Sequence, residues 1–263
     1  MPELPDVAHF RKYFQEHAVG RKIACVRLAN PKIVRGVSRQ ELESLAGAEF
    51  ISTRQHGKYL FCRLDRGVWL VMHFGMTGYL HYFEEPEQEP AYSRVLFGFE
   101  GGGVLAYVNQ RMLGWIGLVE KPESVIEGRG LGPSVLDGEF DFETFRNRLE
   151  GRKGEIKAAL MNQEIMAGIG NVYSDEILLQ ARIYPRARAN TLSREQLRTL
   201  FARVKDVLKT AVERNADTSQ FPENFLLRNR RKGAACPVCA SKLQSMKVSG
   251  RTSVFCPKCQ PQD

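Results

Sequence analysis

Near the start of the chain, apolar Val7, Phe10 and Phe14 recur at helical spacing and predict a helix over 6–18. The period then shortens. Residues 23–28, 58–64, 68–72 and 104–108 are β-rich runs bounded by turn signals. Asp65-Arg66-Gly67 reads as a hairpin loop, and Gly101-Gly102-Gly103 as another turn. Many short strands at close spacing predict a β-sandwich or barrel. Residues 119–138 concentrate Pro122, Pro133 and four glycines, which reads as an interdomain linker. Beyond it the period becomes helical over 141–149, 155–162, 171–181 and 193–215. Ser193 is placed to cap the last helix, with Gln196 completing a capping box. A coil over 216–235 leads to a cysteine-rich tail. The expected organisation is a domain over 1–120, a linker over 121–134, a helical domain over 135–225 and a small module over 226–263.

Composition narrows the class. A chain of 263 residues with 43% hydrophobic and 10% aromatic content is long enough and apolar enough to bury a real core. No apolar run reaches membrane-spanning length, so no membrane partner is expected. Glu3, Asp6, Arg11 and Lys12 interrupt the first residues and predict no signal peptide, hence a cytoplasmic protein. The net charge of +8 favours a polyanionic partner, with colloidal solubility as the plain alternative. Its distribution says more. Acidic residues gather at 84–89, and basic ones at 182–188 and 228–232, as phosphate contacts would.

Two Cys-x-x-Cys knuckles, Cys236/Cys239 and Cys256/Cys259, flank 16 residues. That spacing aims four thiolates at one ion and predicts one structural zinc with no open position. Disulfides or a redox pair are the alternatives. Cys25 and Cys62 lie in strand-like apolar runs and read as ordinary buried thiols. Between the knuckles, Arg251 follows Gly250 at an expected hairpin tip and is a candidate phosphate contact.

Chemistry is concentrated at Met1-Pro2-Glu3. Removal of Met1 would leave Pro2 with a free secondary amine, a nucleophile toward carbonyl-like carbons. Glu3 would supply a carboxyl group for proton transfer. The alternative is that Pro-Glu merely opens a helix.

A Pro-Glu start, a β-rich first half, a helical middle and a four-cysteine ribbon together resemble the formamidopyrimidine-DNA glycosylase/endonuclease VIII family. The motifs carrying the likeness run in order along nearly the whole chain: 2–5, 55–60, 72–78, 131–133, 163–176 with Gly168-Ile169-Gly170-Asn171, 250–252 and 256–260. The resemblance implies an α+β multidomain fold, with an N-terminal β-sandwich and flanking helices, a helical helix–two-turns–helix domain and a zinc-ribbon finger. It implies a bifunctional glycosylase and abasic-site lyase of base excision repair, acting as a monomer on damaged double-stranded DNA and nucleoid-associated when bound. Pro2 would form a Schiff base, Glu3 would shuttle protons, and a strand-borne Lys58 would assist base loss or hold a phosphate. Met76, Arg111 and Leu113 would fill the gap left by the rotated nucleotide. His73, Lys157, Asn171 and Arg251 would also contact DNA. A non-catalytic damaged-DNA-binding protein on the same scaffold is the alternative.

Three departures from the family pattern matter. Asp6 stands where glutamate is usual. Asn109-Gln110-Arg111-Met112-Leu113-Gly114 keeps the probing arginine but replaces an aromatic wedge with Leu113. The segment 216–225 is shorter than the base-capping loop of 8-oxoguanine-directed members. These departures predict weak excision of 8-oxoguanine relative to ring-opened purines, further-oxidised guanines or oxidised pyrimidines.

Overall fold

The computed structural model describes residues 1–262. The chain divides into two compact units, one of residues 1–2 with 6–130, the other of residues 3–5 with the chain from Leu131 onward.

The first unit holds most of helix α1 (Leu4–Ala18) and two antiparallel four-stranded sheets. One sheet runs β1 (Ile23–Leu28), β6 (Ser93–Phe99), β7 (Val104–Asn109), β5 (Gly78–Phe83). The other runs β2 (Phe50–His56), β3 (Tyr59–Leu64), β4 (Trp69–His73), β8 (Trp115–Val119). Phe14, Phe50 and Phe97 meet edge to face, with ring centroids 4.9 and 5.7 Å apart, and join helix and both sheets in one core. A short helix α2 (Arg39–Glu43) lies between β1 and β2.

Two sequence expectations are corrected here. Part of the expected linker is helix α3 (Pro122–Gly128). Pro122 stands in its first turn, where the missing N–H costs nothing, so a residue read as a breaker is a starter. Cys62 is buried as expected, but Cys25 is exposed. It lies on β1, an edge strand, beside a register shift at Ile23/Cys25 that leaves Ala24 and Cys25 both facing out.

The second unit packs α4 (Phe142–Leu149), α5 (Ile156–Met161), α6 (Asn171–Ala181) and α7 (Arg194–Glu213) around one apolar core. Ser193 and Gln196 form the predicted capping box, with bonds of 3.1 and 2.8 Å. Helix α6 is the axle of this unit, with eight of its residues buried. The tail adds a hairpin, β9 (Gln244–Val248) and β10 (Arg251–Phe255), closed by Ser249 and Gly250 at φ 46 and 76. Two consecutive positive φ values are what a two-residue hairpin turn requires.

Candidate active site and nucleic-acid interface

Glu3 is fully buried, and its neighbours explain why that is tolerated. Its carboxylate accepts from the backbone N–H groups of Gly170 at 2.6 Å, Val172 at 2.8 Å and Tyr173 at 3.2 Å. These N–H groups belong to the first turn of α6, where a helix has no intrahelical acceptors for them and its dipole also favours negative charge. A Cβ on Gly170 would stand 2.4 Å from the Glu3 carboxyl carbon, so glycine is what lets the carboxylate approach. The preceding turn is stitched by Gln163. Its amide nitrogen donates to Met161 O and Ile169 O, both at 2.8 Å, and its oxygen accepts from Gly168 N at 3.0 Å. Leu4 N then donates to Gly168 O at 3.0 Å. Pro2 directly precedes this anchored residue, and α1 begins two residues after it, at Leu4.

The first unit carries Met76, Arg111 and Leu113 on two loops that touch. A Cβ on Gly75, at φ 62, would meet Gly114 N at 2.3 Å and the Leu113 carbonyl carbon at 2.4 Å. The contact is backbone to backbone and leaves no room for a side chain. Below it, Tyr107 donates to His73 O at 2.8 Å, and the Asn109 amide donates to Phe74 O at 3.1 Å. Arg111 N donates to the Thr77 hydroxyl at 3.1 Å. This buried frame holds up Met76 and Leu113, which are 40% and 48% exposed.

His73 ends β4, with its ring 4.9 Å from that of Tyr59. Burial lowers its pKa to about 4, helped by the charges of Lys58, Arg129 and Arg35, so the imidazole is neutral at pH 7. Its Nδ1 is buried with no hydrogen-bond partner among the described residues. Lys58 is not on a strand as expected. It sits with Gly57 in the two-residue turn that joins His56 to its pair Tyr59. Gly57 takes φ 51, and β3 starts only at Tyr59.

Lys157 is also placed differently from expectation. Expected among the DNA contacts, it is fully buried on α5, with its ammonium bonded to Asp175 and to Asn171 O at 3.2 Å. Burial lowers its pKa, and the Asp175 charge opposes that shift. Asp175, which pattern reading did not single out, is the hub. It also accepts from Arg230 Nε at 2.8 Å, Ser253 Oγ at 2.5 Å and Val254 N at 2.9 Å. One carboxylate thus ties α5, α6, the basic segment after α7 and β10 together. Asn171 donates to Thr252 O at 3.0 Å, beside exposed Arg251. So Glu3, Lys157, Asn171 and the Arg251 strand do converge around one end of α6. Only the "DE" inside the 168–176 motif hinted at the hub, and sequence does not say which donors a carboxylate will meet.

The four sulfurs of Cys236, Cys239, Cys256 and Cys259 lie within 4.8 Å of one another, two pairs at 3.9 and 3.5 Å. A zinc tetrahedron with 2.3 Å bonds has edges of about 3.8 Å, so the cluster fits one structural ion. Val238 N and Cys259 N each donate to a cysteine sulfur at 3.4 Å, as knuckle amides do around thiolates. The short segment 216–225 is ordered by its own chemistry. Asp217 accepts from Ser219 and Gln220, while Phe221 and Phe225 bury their rings 5.5 Å apart.

Three domain families match the chain in order. The formamidopyrimidine-DNA glycosylase N-terminal domain matches residues 1–116, the formamidopyrimidine-DNA glycosylase H2TH domain 131–223, and a zinc finger found in FPG and IleRS 233–262. Formamidopyrimidine-DNA glycosylase of Pelotomaculum thermopropionicum is 33% identical over 99% of both chains. Lactococcus lactis formamidopyrimidine-DNA glycosylase, solved non-covalently bound to DNA with an abasic site, superposes with a TM-score of 0.90 at 26% identity, covering 99% of this chain and 100% of that one. A variant of the same enzyme, complexed with Fapy-dG-containing DNA, gives 0.89 at 27% over the same coverage. Full-length similarity of this kind, with every domain in register, means that the chain belongs to the formamidopyrimidine-DNA glycosylase family.

Proposed function

We propose that the chain is a bifunctional glycosylase and abasic-site lyase for oxidised bases in duplex DNA, working as a monomer through the amine of Pro2. Family membership supports the coarser part of this reading, a glycosylase acting on damaged DNA. The observation that carries the finer part is the carboxylate next in sequence to Pro2, buried and held by three backbone N–H groups. Those donors keep Glu3 ionised, so it serves as a counter-charge for a cation, and the ammonium it attracts brings its proton within reach of the carboxylate for transfer.

With Met1 removed, an α-amine of pKa about 8 is mostly protonated at neutral pH and must lose a proton before it can attack. Glu3 takes that proton. The Pro2 nitrogen then bonds to C1′ of the sugar as the bond from C1′ to the base breaks; the base leaves with the bonding pair and is neutralised by the remaining N–H proton of Pro2, which frees the nitrogen lone pair. Opening of the C1′–O4′ bond converts the adduct to an iminium, and O4′ receives the proton from Glu3. The iminium acidifies the C2′ hydrogens, whose loss expels the 3′ phosphate. Once it has passed that proton to O4′, ionised Glu3 stabilises the iminium cation. Lys58 steadies the phosphate beside the opening sugar, and neutral His73 donates a hydrogen bond to the backbone rather than a charge. Met76, Arg111 and Leu113 occupy the gap, while Asn171 and Arg251 hold phosphates. Lys157 acts through Asp175, as a buried brace.

The lesion follows from the shape of two parts. Leu113 offers no aromatic face for stacking, and the short 216–225 segment is pinned by Phe221 and Phe225 rather than free to fold over a base. Ring-opened purines are therefore excised faster than 8-oxoguanine from matched duplexes, and equal rates would refute this. The chemistry is tested by incubating the protein with an abasic-site duplex and borohydride. A covalent complex is expected, and it is lost in Pro2→Gly. Failure to trap on any damaged duplex would leave the DNA-binding reading in its place.

A further inference from the structure

On the first unit, two arginines converge on one indole. Arg129 lies over the Trp115 ring at 4.9 Å and Arg35 over the same ring at 5.7 Å. Arg129 also lies 5.9 Å from the Tyr59 ring. Both arginines are set by fixed backbone. Arg35 N donates to Ile116 O at 2.9 Å, where the chain lies along the edge of β8. A Cβ on Gly117 would stand 2.6 Å from Arg35 O, so glycine permits that crossing. Arg129 follows the last turn of α3 and donates its N–H to Val125 O at 3.1 Å.

A cleft of about 480 Å³ opens between them, lined also by Trp115 and Ser124 and by no carboxylate. Among the described residues neither arginine makes an ion pair, whereas Arg54 on β2 is paired with Glu123 of α3. The charges of both arginines, together with that of Lys58, are felt at His73, so the cleft and the proposed phosphate contacts share one field. Stacking on the indole holds the guanidinium planes while leaving their N–H edges free to meet an anion. A flat aromatic floor, two fixed guanidiniums and a hydroxyl together match a phosphodiester.

We propose that this cleft is a phosphate subsite, in which Arg35 and Arg129 grip one or two phosphodiesters of the bound nucleic acid beyond those reached by Lys58 and His73. The inference rests on the proposed function for its source of phosphate. Free inorganic phosphate would have the same local chemistry.

The test is the salt dependence of duplex binding by the full-length protein and by Arg35→Gln, Arg129→Gln and the double variant, each checked for an unchanged melting temperature. Neutralising a phosphate contact lowers the slope of log K against log salt by about 0.9. Each single variant should lose about that much, and the double variant about twice as much, with binding several-fold weaker at 0.1 M salt. Inorganic phosphate alone, titrated calorimetrically, distinguishes the sources. A double variant that binds duplex with the parental slope overturns the subsite, whether or not it has lost affinity for phosphate. Borohydride trapping separates the two readings. Normal trapping with unchanged slopes removes the subsite alone. Absent trapping with lowered slopes removes the catalytic reading and leaves the subsite standing.

Discussion

Asp175 should be the most expensive single side chain to alter in the second unit. It is fully buried, and so is the Lys157 ammonium it holds. Arg230 reaches the same carboxylate with a side chain still 19% exposed, and so retains some access to water. Lys157 has none. In Asp175→Asn the volume is kept, but one carboxylate oxygen becomes a donor facing other donors. The buried ammonium then loses its counter-charge, a change that typically costs about 3–5 kcal/mol. For a unit of about 130 residues, an unfolding entropy of about 2.1 cal/mol/K per residue gives ~0.3 kcal/mol/K. The melting temperature of that unit should therefore fall by roughly 11–18 °C. Calorimetry resolves the unit's transition directly. Adding Lys157→Met to Asp175→Asn removes the stranded charge and should restore about 2 kcal/mol, a coupling that a double-mutant cycle isolates. A loss below about 1 kcal/mol in the single variant, or no recovery in the double, would refute the hub argument.

Glu176 gives a pH signature of its own. Burial raises its carboxyl to about 7 from an ordinary value of 4.5. Between those values the folded chain keeps a proton that the unfolded chain has lost. The stabilising contribution is thus complete below pH 4.5 and disappears as pH rises through about 7, a change of order 3 kcal/mol. Melting temperatures from pH 5 to 8 should show that decline, and Glu176→Gln should flatten it. Zinc removal by a strong chelator should unfold the β9–β10 hairpin and abolish duplex binding, with both restored by added zinc. A finger that stays folded without metal would contradict the four-thiolate site. Leu113→Phe should restore stacking on the opposite strand and sharpen discrimination between opposite bases by about 1 kcal/mol. Unchanged discrimination would show that Leu113 is not the wedge.

Periodicity made the helices legible because α4 and α7 are surface helices with one apolar face. It served α6 poorly as a guide to function, because that helix is buried almost all round and its charged residues look like solvated ones until their partners are seen. Strands β5 and β6 escaped the pattern, since both carry buried residues in succession or irregular alternation. Pro122 and the nearby glycines signalled a linker where a short helix forms. The cysteine spacing was legible because zinc imposes geometry on sequence directly. Lys58 was found by motif, but its place in a turn follows from the pairing of His56 with Tyr59, which is a property of the sheet. Asp175, Arg35 and Arg129 belong to no motif that spacing reveals, because their roles are set by which distant elements they meet.

If the N-terminal amine of Pro2 is the nucleophile, the sugar must become bonded to that nitrogen. Peptide mapping by mass spectrometry of the borohydride-reduced protein–DNA complex tests it most directly. Met1 should be absent, and the sugar-derived mass should lie on the N-terminal peptide, at Pro2. An adduct on Lys58, or a protein that retains Met1 and still cleaves abasic-site DNA, would contradict it.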